Sequence, residues 1–152
     1  MIKILDMTDN NIDRLYRLFD HFEGAPEYQG KGGRRFFTKA LIDAIMVIEL
    51  SYGLIRVTDY HVGSHVVVHG LFHSKSVFGS LRELKQVGDL IFSMFHIVEI
   101  QIIVPANSRA LQRLLLSLNF TKGAYLQEGL YDGSMYVDGI EYTLRRGGKR
   151  NG

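Results

Sequence analysis

The 152-residue sequence contains no cysteine. A disulfide framework, a thiolate metal site and a cysteine nucleophile are therefore excluded, and the absence suits a cytoplasmic protein. Proline is scarce: one of only two lies in the glycine-rich stretch EGAPEYQGKGGRR, residues 23–35, which reads as a loop. No apolar run approaches the roughly 20 residues of a membrane span. The start, MIKILDMTDN, has an acid at residue 6 and does not read as a signal peptide. A membrane partner is not expected. Nor is there a strong charge of either sign: 18 basic against 16 acidic residues leave +2, and the tail RRGGKRNG supplies much of the excess. Such a tail reads as a solvated, frayed end, and nucleic acid is not an expected partner. What is present, 46% hydrophobic and 22% charged residues, is ordinary for one globular domain with a real core. We read residues 1–146 as a single domain and 147–152 as a flexible basic tail.

Periodicity gives the order of elements. Ile2 to Leu5 reads as a short strand. Thr8 is an N-cap, and Ile12, Leu15, Leu18 and Phe19 follow at helical spacing. Phe36, Phe37, Leu41 and Ile42 mark a second helix. Ile45–Leu50, Leu54–Tyr60 and Val66–Phe72, separated by SYG and HVGSH, read as three antiparallel strands. Leu81, Leu84, Val87, Ile91 and Met94 mark a helix, opened by the capping-box pattern Ser80 to Glu83. Ile97–Val104 is an apolar strand. Asn107 and Ser108 cap a last helix carrying Ala110, Leu111, Leu114, Leu115 and Leu118, with Asn119 as a left-handed C-cap. AYLQEGLY and MYVDGIEYTL, joined by DGS, make a hairpin. The strand–helix–strand unit in the middle predicts two parallel strands in a mixed sheet. Its helix begins just after a strand, where free N–H groups can meet a phosphate.

Four histidines recur every four residues: His61, His65, His69 and His73. On a helix this spacing would stack them on one face, as in zinc-binding pairs. Gly63, Gly70 and the run Val66 to Val68 argue for strand instead. Residues four apart on a strand are about 13 Å apart, too far to share a metal held at about 2 Å. No metal is expected. His65 and His69 would share one sheet face, and read either as sheet-surface histidines or as a source of one general base. Gln29 to Arg34 superficially copies a phosphate cradle, but no strand precedes it.

The order strand, two helices, three antiparallel strands, helix, strand, helix, hairpin resembles the GNAT superfamily of acyl-CoA N-acyltransferases along nearly the whole chain. NSRALQRLLLSLNFTKGAYLQEGLYDGSMYVDGIEYTL, residues 107–144, carries the best match: an Asn, a helix, "LNF" for the family's "LGF", then a hairpin. SVFGSL aligns with the pyrophosphate loop Q/R-x-x-G-x-G/A. It keeps Gly79, has Phe78 for an Arg, and has Leu81 for the second Gly or Ala. Leu115 lies near the place of the Tyr that often protonates the leaving thiolate, and Ser108 competes with Asn107 for the family's Asn position. This eroded pattern also resembles GNAT-like proteins of tailed phages.

The resemblance implies a fold and a chemistry. The fold is α/β (α+β): a GNAT-like mixed, mostly antiparallel sheet of about seven strands with four helices. The activity is acetyl transfer from acetyl-CoA to a small-molecule or protein amine. The amides of Val77, Phe78, Gly79, Ser80 and Leu81 would hold the pyrophosphate. Backbone at His69, Gly70 and Leu71 would pair with the pantetheine and polarise the thioester, with Asn107 and Ser108 nearby. His65 falls near a strand position where some members keep a glutamate, and Glu99 is the other candidate base, or a surface carboxylate. Tyr125, Tyr131 or Tyr136 is a candidate acid. Lys31, Arg34 and Arg35 border the acceptor side. A homodimer fits the family. The alternative is a catalytically inactive GNAT-fold binding protein, such as a phage accessory or virion protein.

Overall fold

The computed structural model describes residues 2–20, 28, 31–73, 81–131 and 135–147. The chain runs β1 (Lys3–Leu5), α1 (Asp9–Phe19), α2 (Gly33–Ile42), β2 (Met46–Leu50), β3 (Gly53–His61), β4 (His65–Phe72), α3 (Leu81–Met94), β5 (Glu99–Pro105), α4 (Arg109–Ser117), β6 (Thr121–Tyr131) and β7 (Tyr136–Arg145). Among the described residues one seven-stranded sheet holds all the strands, in the order β1-β2-β3-β4-β5-β7-β6. Every neighbouring pair is antiparallel except β4 and β5. The mostly antiparallel mixed sheet with four helices expected from the sequence is the fold observed.

Local chemistry explains the helices. The Thr8 hydroxyl accepts from the Asn11 amide at 3.2 Å and starts α1. Ile12, Leu15 and Phe19 then fall on one buried stripe. Arg14 clamps both carboxylate oxygens of Glu49 at 2.7 and 2.9 Å, pinning α1 over β2. α2 buries Gly33, Phe37 and Leu41. A Cβ on Gly33 would sit 2.2 Å from the Tyr28 carbonyl oxygen, so only glycine admits this approach. α4 ends as the sequence predicts. Asn119 adopts φ 69°, its N–H donates to Leu116, and Phe120 N–H donates to Leu115.

The sheet separates two cores. On one face Ile12, Leu15, Phe19, Phe37 and Leu41 pack on Val47 and Leu54, with Leu71 against them. On the other, Val87 and Ile91 of α3 and Leu114, Leu115 and Leu118 of α4 pack on Val66, Val68, Ile100, Val104 and Ile140. Each such side chain contributes about 1.5–3 kcal/mol by leaving water. The alternation of β4 follows from this: Val66 and Val68 point to the α3/α4 side, and their neighbours to the α1/α2 side.

Three details differ from the expectations, and one contact is new. Leu18, Phe36, Ile42 and Met94 keep the helical period but are exposed, at the margins of their stripes. Phe95, one residue past α3, is buried instead of Met94. Both Glu83 oxygens accept from Ser51, in the β2–β3 turn, at 3.0 and 2.8 Å. The reciprocal cap with Ser80 lies outside the described residues. Ser108 occupies the N-cap of α4 but makes no side-chain capping bond. The DGS turn and residues 148–152 of the tail also lie outside them.

Candidate functional site

The parallel pair at the centre of the sheet is short. β4 and β5 stay in register from His65–Glu99 to Val68–Ile102, and the register goes no further. The Ser64 carbonyl, on the β5 side, accepts from the Glu99 N–H at 3.2 Å, while the His73 N–H donates to Tyr52, on the β3 side, at 2.9 Å. Backbone groups alternate sides along a strand. Even-numbered residues of β4 therefore direct N–H and C=O toward β5. For Gly70 and Phe72, past the last registered pair, they point into a V-shaped gap. Such groups can extend a ladder to an incoming extended ligand.

Above the gap lies a cavity of about 570 Å³, between α3 and α4. Gly70 and Phe72 of β4, Leu84 and Gly88 of α3, Val104 of β5 and Leu111 of α4 are among its walls. Gly88 stands out. A glycine inside a helix costs about 1 kcal/mol relative to alanine. A Cβ here would meet nothing closer than a Leu144 methyl at 3.6 Å, an ordinary contact. Packing within the chain does not demand glycine; the missing side chain keeps the cavity wide.

The cofactor-binding residues read from the sequence divide between the described and undescribed parts. His69, Gly70 and Leu71 flank the V-shaped gap on β4. Leu81 opens α3, whereas Val77, Phe78, Gly79 and Ser80 lie outside the described residues. Asn107 is exposed before α4 and, with Tyr125 and Asp138, lines a second recess of about 330 Å³. The Tyr125 hydroxyl donates to Asp138, which also accepts from the Glu128 N–H at 2.8 Å. That hydrogen bond, foremost, raises the Tyr125 phenol above its ordinary pKa and holds the Asp138 carboxyl below its own.

His65 and Glu99 are brought together as registered neighbours. Glu99 also faces Arg145 across β7, at 3.8 Å. The pair sits three residues before the register ends, about 10 Å along the strand. His65 Nδ1 is 2.8 Å from the Ser64 hydroxyl, and its ring stacks on His61 with centroids 4.5 Å apart. The sequence held the signal for that stack: the HVGSH turn folds His61 back onto His65. His65 and His69 lie on one strand, as their valine-rich setting predicts. Among the described residues no cluster of three or more His, Asp or Glu side chains could hold a metal.

His69 is different. It is half-buried and registered against Arg56 of β3. Burial, foremost, lowers its pKa, and the positive charge of Arg56 lowers it further, while Asp59 opposes them. Arg56 donates to the Ala40 carbonyl of α2 at 3.2 Å, and its buried Nε has no partner among the described residues. Sequence reasoning missed Arg56, Gly88 and Asp138, because their importance comes from neighbours distant in the chain.

Solved structures share this arrangement over almost their whole length. An acetyltransferase of the GNAT family from Bacillus anthracis matches with a TM-score of 0.70, covering 95% of this chain and 94% of that one at 12% identity. The chain has the GNAT fold. A spermidine N-acetyltransferase from Vibrio cholerae, in complex with CoA and spermine, matches at TM-score 0.70 and 12% identity, covering 95% of each chain. The microcin C7 self-immunity acetyltransferase, in complex with acetyl-CoA and AMP, gives 0.71 and 13%, covering 95% of this chain and 92% of that one. No family model matches the sequence, and no curated protein matches it. The resemblance to phage proteins gains no support from these structures.

Proposed function

We propose that the protein is an acetyl-CoA-dependent N-acetyltransferase acting on an amine. The observation that carries this reading is the V-shaped gap between β4 and β5, with Gly70 and Phe72 directing backbone groups into it below the α3–α4 cavity. An extended pantetheine arm would continue the ladder that β5 leaves. A Gly70 N–H directed at the thioester carbonyl would stabilise the negative charge that develops there. Leu81 and the preceding Val77, Phe78, Gly79 and Ser80 would receive the pyrophosphate at the start of α3, where free amides and the helix dipole favour an anion. Asn107 and Ser108 would border the arm from the start of α4. His65 and Glu99 remain candidates for proton transfer.

The acceptor is an amine, on a small molecule or a protein. Polyamines are a class to test, since one of the similar structures is a spermidine N-acetyltransferase. No helix among the described residues is long and apolar enough to cross a membrane. A homodimer is part of the proposal.

The competing reading is a GNAT-fold binding protein without turnover. It rests on Leu115, which is buried in the α3/α4 core where a thiolate-protonating tyrosine would otherwise stand. Thiol release separates the two. The chain has no cysteine, so a thiol reagent reads only the CoA formed. With acetyl-CoA and a panel of spermidine, a lysine peptide and an N-terminal serine peptide, we expect amine-dependent release of CoA thiol. No release above the amine-free rate with any of the three would favour the binding protein.

A further inference from the structure

We infer that His69 is the general base that takes the proton from the acceptor amine. This rests on the acetyltransferase reading and names the residue that reading leaves open. Three observations support it. The first is position: His69 is the first residue of β4 beyond the last registered β4–β5 pair, so it stands at the apex of the gap. His65 lies four residues back, about 13 Å away.

The second is direction. Val68 and Gly70 face the α3–α4 cavity. His69 lies between them, so its side chain is on the opposite face, shared with Leu71, which packs against the α1/α2 core. A donor held on the α3/α4 side and an acceptor arriving on the α1/α2 side meet at the gap, with the imidazole on the acceptor's side.

The third is availability. Among the described residues nothing hydrogen-bonds the His69 ring, whereas His65 is tied to Ser64 and stacked on His61. A base must be neutral before it can accept a proton. The charged groups acting on His69 are Arg56 and Asp59, both on β3. α2 above contributes the Ala40 carbonyl, which anchors Arg56. The β5 residues alongside, Gln101 and Ile103, are uncharged; Glu141 of β7 lies one strand further, registered against Ile103. Burial and Arg56 outweigh Asp59, and the ring stays neutral at neutral pH.

The step balances. The acceptor ammonium gives one proton to the His69 imidazole, and the freed nitrogen forms a bond to the thioester carbonyl carbon. The C–S bond breaks, and its electron pair leaves with sulfur. The nitrogen then loses a second proton, which goes to the thiolate, giving CoA thiol and an amide that keeps one N–H. His69 returns its proton to water. Arg56 is a positioning residue here, acting through the ring's protonation.

The test pairs kinetics with NMR titration of the histidine rings in the free protein. His69 should titrate below the ordinary value of about 6.5, and the acid limb of kcat/KM should have the same midpoint. Arg56→Met should move both upward together. His69→Gln should lower kcat/KM about 100-fold or more, with acetyl-CoA binding by calorimetry unchanged, and His61→Gln should leave kcat/KM unchanged. Wild-type turnover that His69→Gln retains within about threefold, with the same acid limb, overturns the role of His69 and leaves the acetyltransferase reading intact. A His69 ring that titrates at or above the ordinary value overturns it as well, even if His69→Gln does not fold. Acetyl-CoA binding without turnover of any amine in the panel overturns both.

Discussion

Glu83 shows how one side chain ties distant parts of the chain together. Its carboxylate accepts from the Ser51 amide and hydroxyl, so the start of α3 is fastened to the β2–β3 turn. Burial raises its pKa, but the hydrogen bonds, Ser51's among them, more than offset that and hold it below the ordinary value. A carboxyl with a depressed folded pKa stabilises the protein above its unfolded pKa, and that contribution is lost as pH falls toward the folded one. Glu83→Gln should therefore lower stability by about 1.5 kcal/mol at pH 7. It should also flatten the acid limb of the melting-temperature profile. Melts of both proteins from pH 3 to pH 7 would show this, and parallel profiles would contradict it. His69 loses stability over a higher window: its protonation costs more in the folded state, so the loss begins as pH falls below about 6.5.

The helices were more legible in the sequence than the features that join them. The Thr8 cap, the stripe of α1 and the left-handed Asn119 depend on residues within a few positions, and all are present in the structure. Leu18, Phe36, Ile42 and Met94 fit the helical period yet lie exposed, because periodicity finds the helix without fixing how wide a stripe its neighbours cover. Glu83 matches a capping box, whose Ser80 half lies outside the described residues, and its two oxygens also accept from Ser51, a long-range partner that no local pattern records. Asn119 offers a clean test at this scale. Its positive φ costs an alanine about 1 kcal/mol and costs a glycine little. Asn119→Ala should lower the free energy of urea unfolding by about that amount, while Asn119→Gly should be near neutral. Equal losses for the two would place the cost in the asparagine side chain instead.

Over the whole molecule, alternation and turn signals marked the β2–β3–β4 meander and the β6–β7 hairpin, and the strand–helix–strand unit marked the parallel pair, while the insertion of β7 between β5 and β6 had no local signal. They could not show where that pair stops. The end of the β4–β5 register at Val68–Ile102 is set by how the two halves of the sheet diverge, which no local pattern records. The cavity was hidden for the same reason, since Gly88 reads in the sequence only as a helix-weakening residue. His65 drew attention by its nearness to the strand position where the resemblance puts a glutamate, while the half-buried imidazole at the gap, with no hydrogen bond among the described residues, belongs to His69. Calorimetric titration with acetyl-CoA, on the wild type and on Gly88→Leu, tests the central claim most directly. Leucine should fill the cavity and strengthen the helix by up to about 1 kcal/mol. We expect the wild type to bind one acetyl-CoA, and Gly88→Leu to melt no lower than wild type yet bind at least about tenfold more weakly. Equal binding by both, or no binding by the wild type at millimolar ligand, would contradict the account.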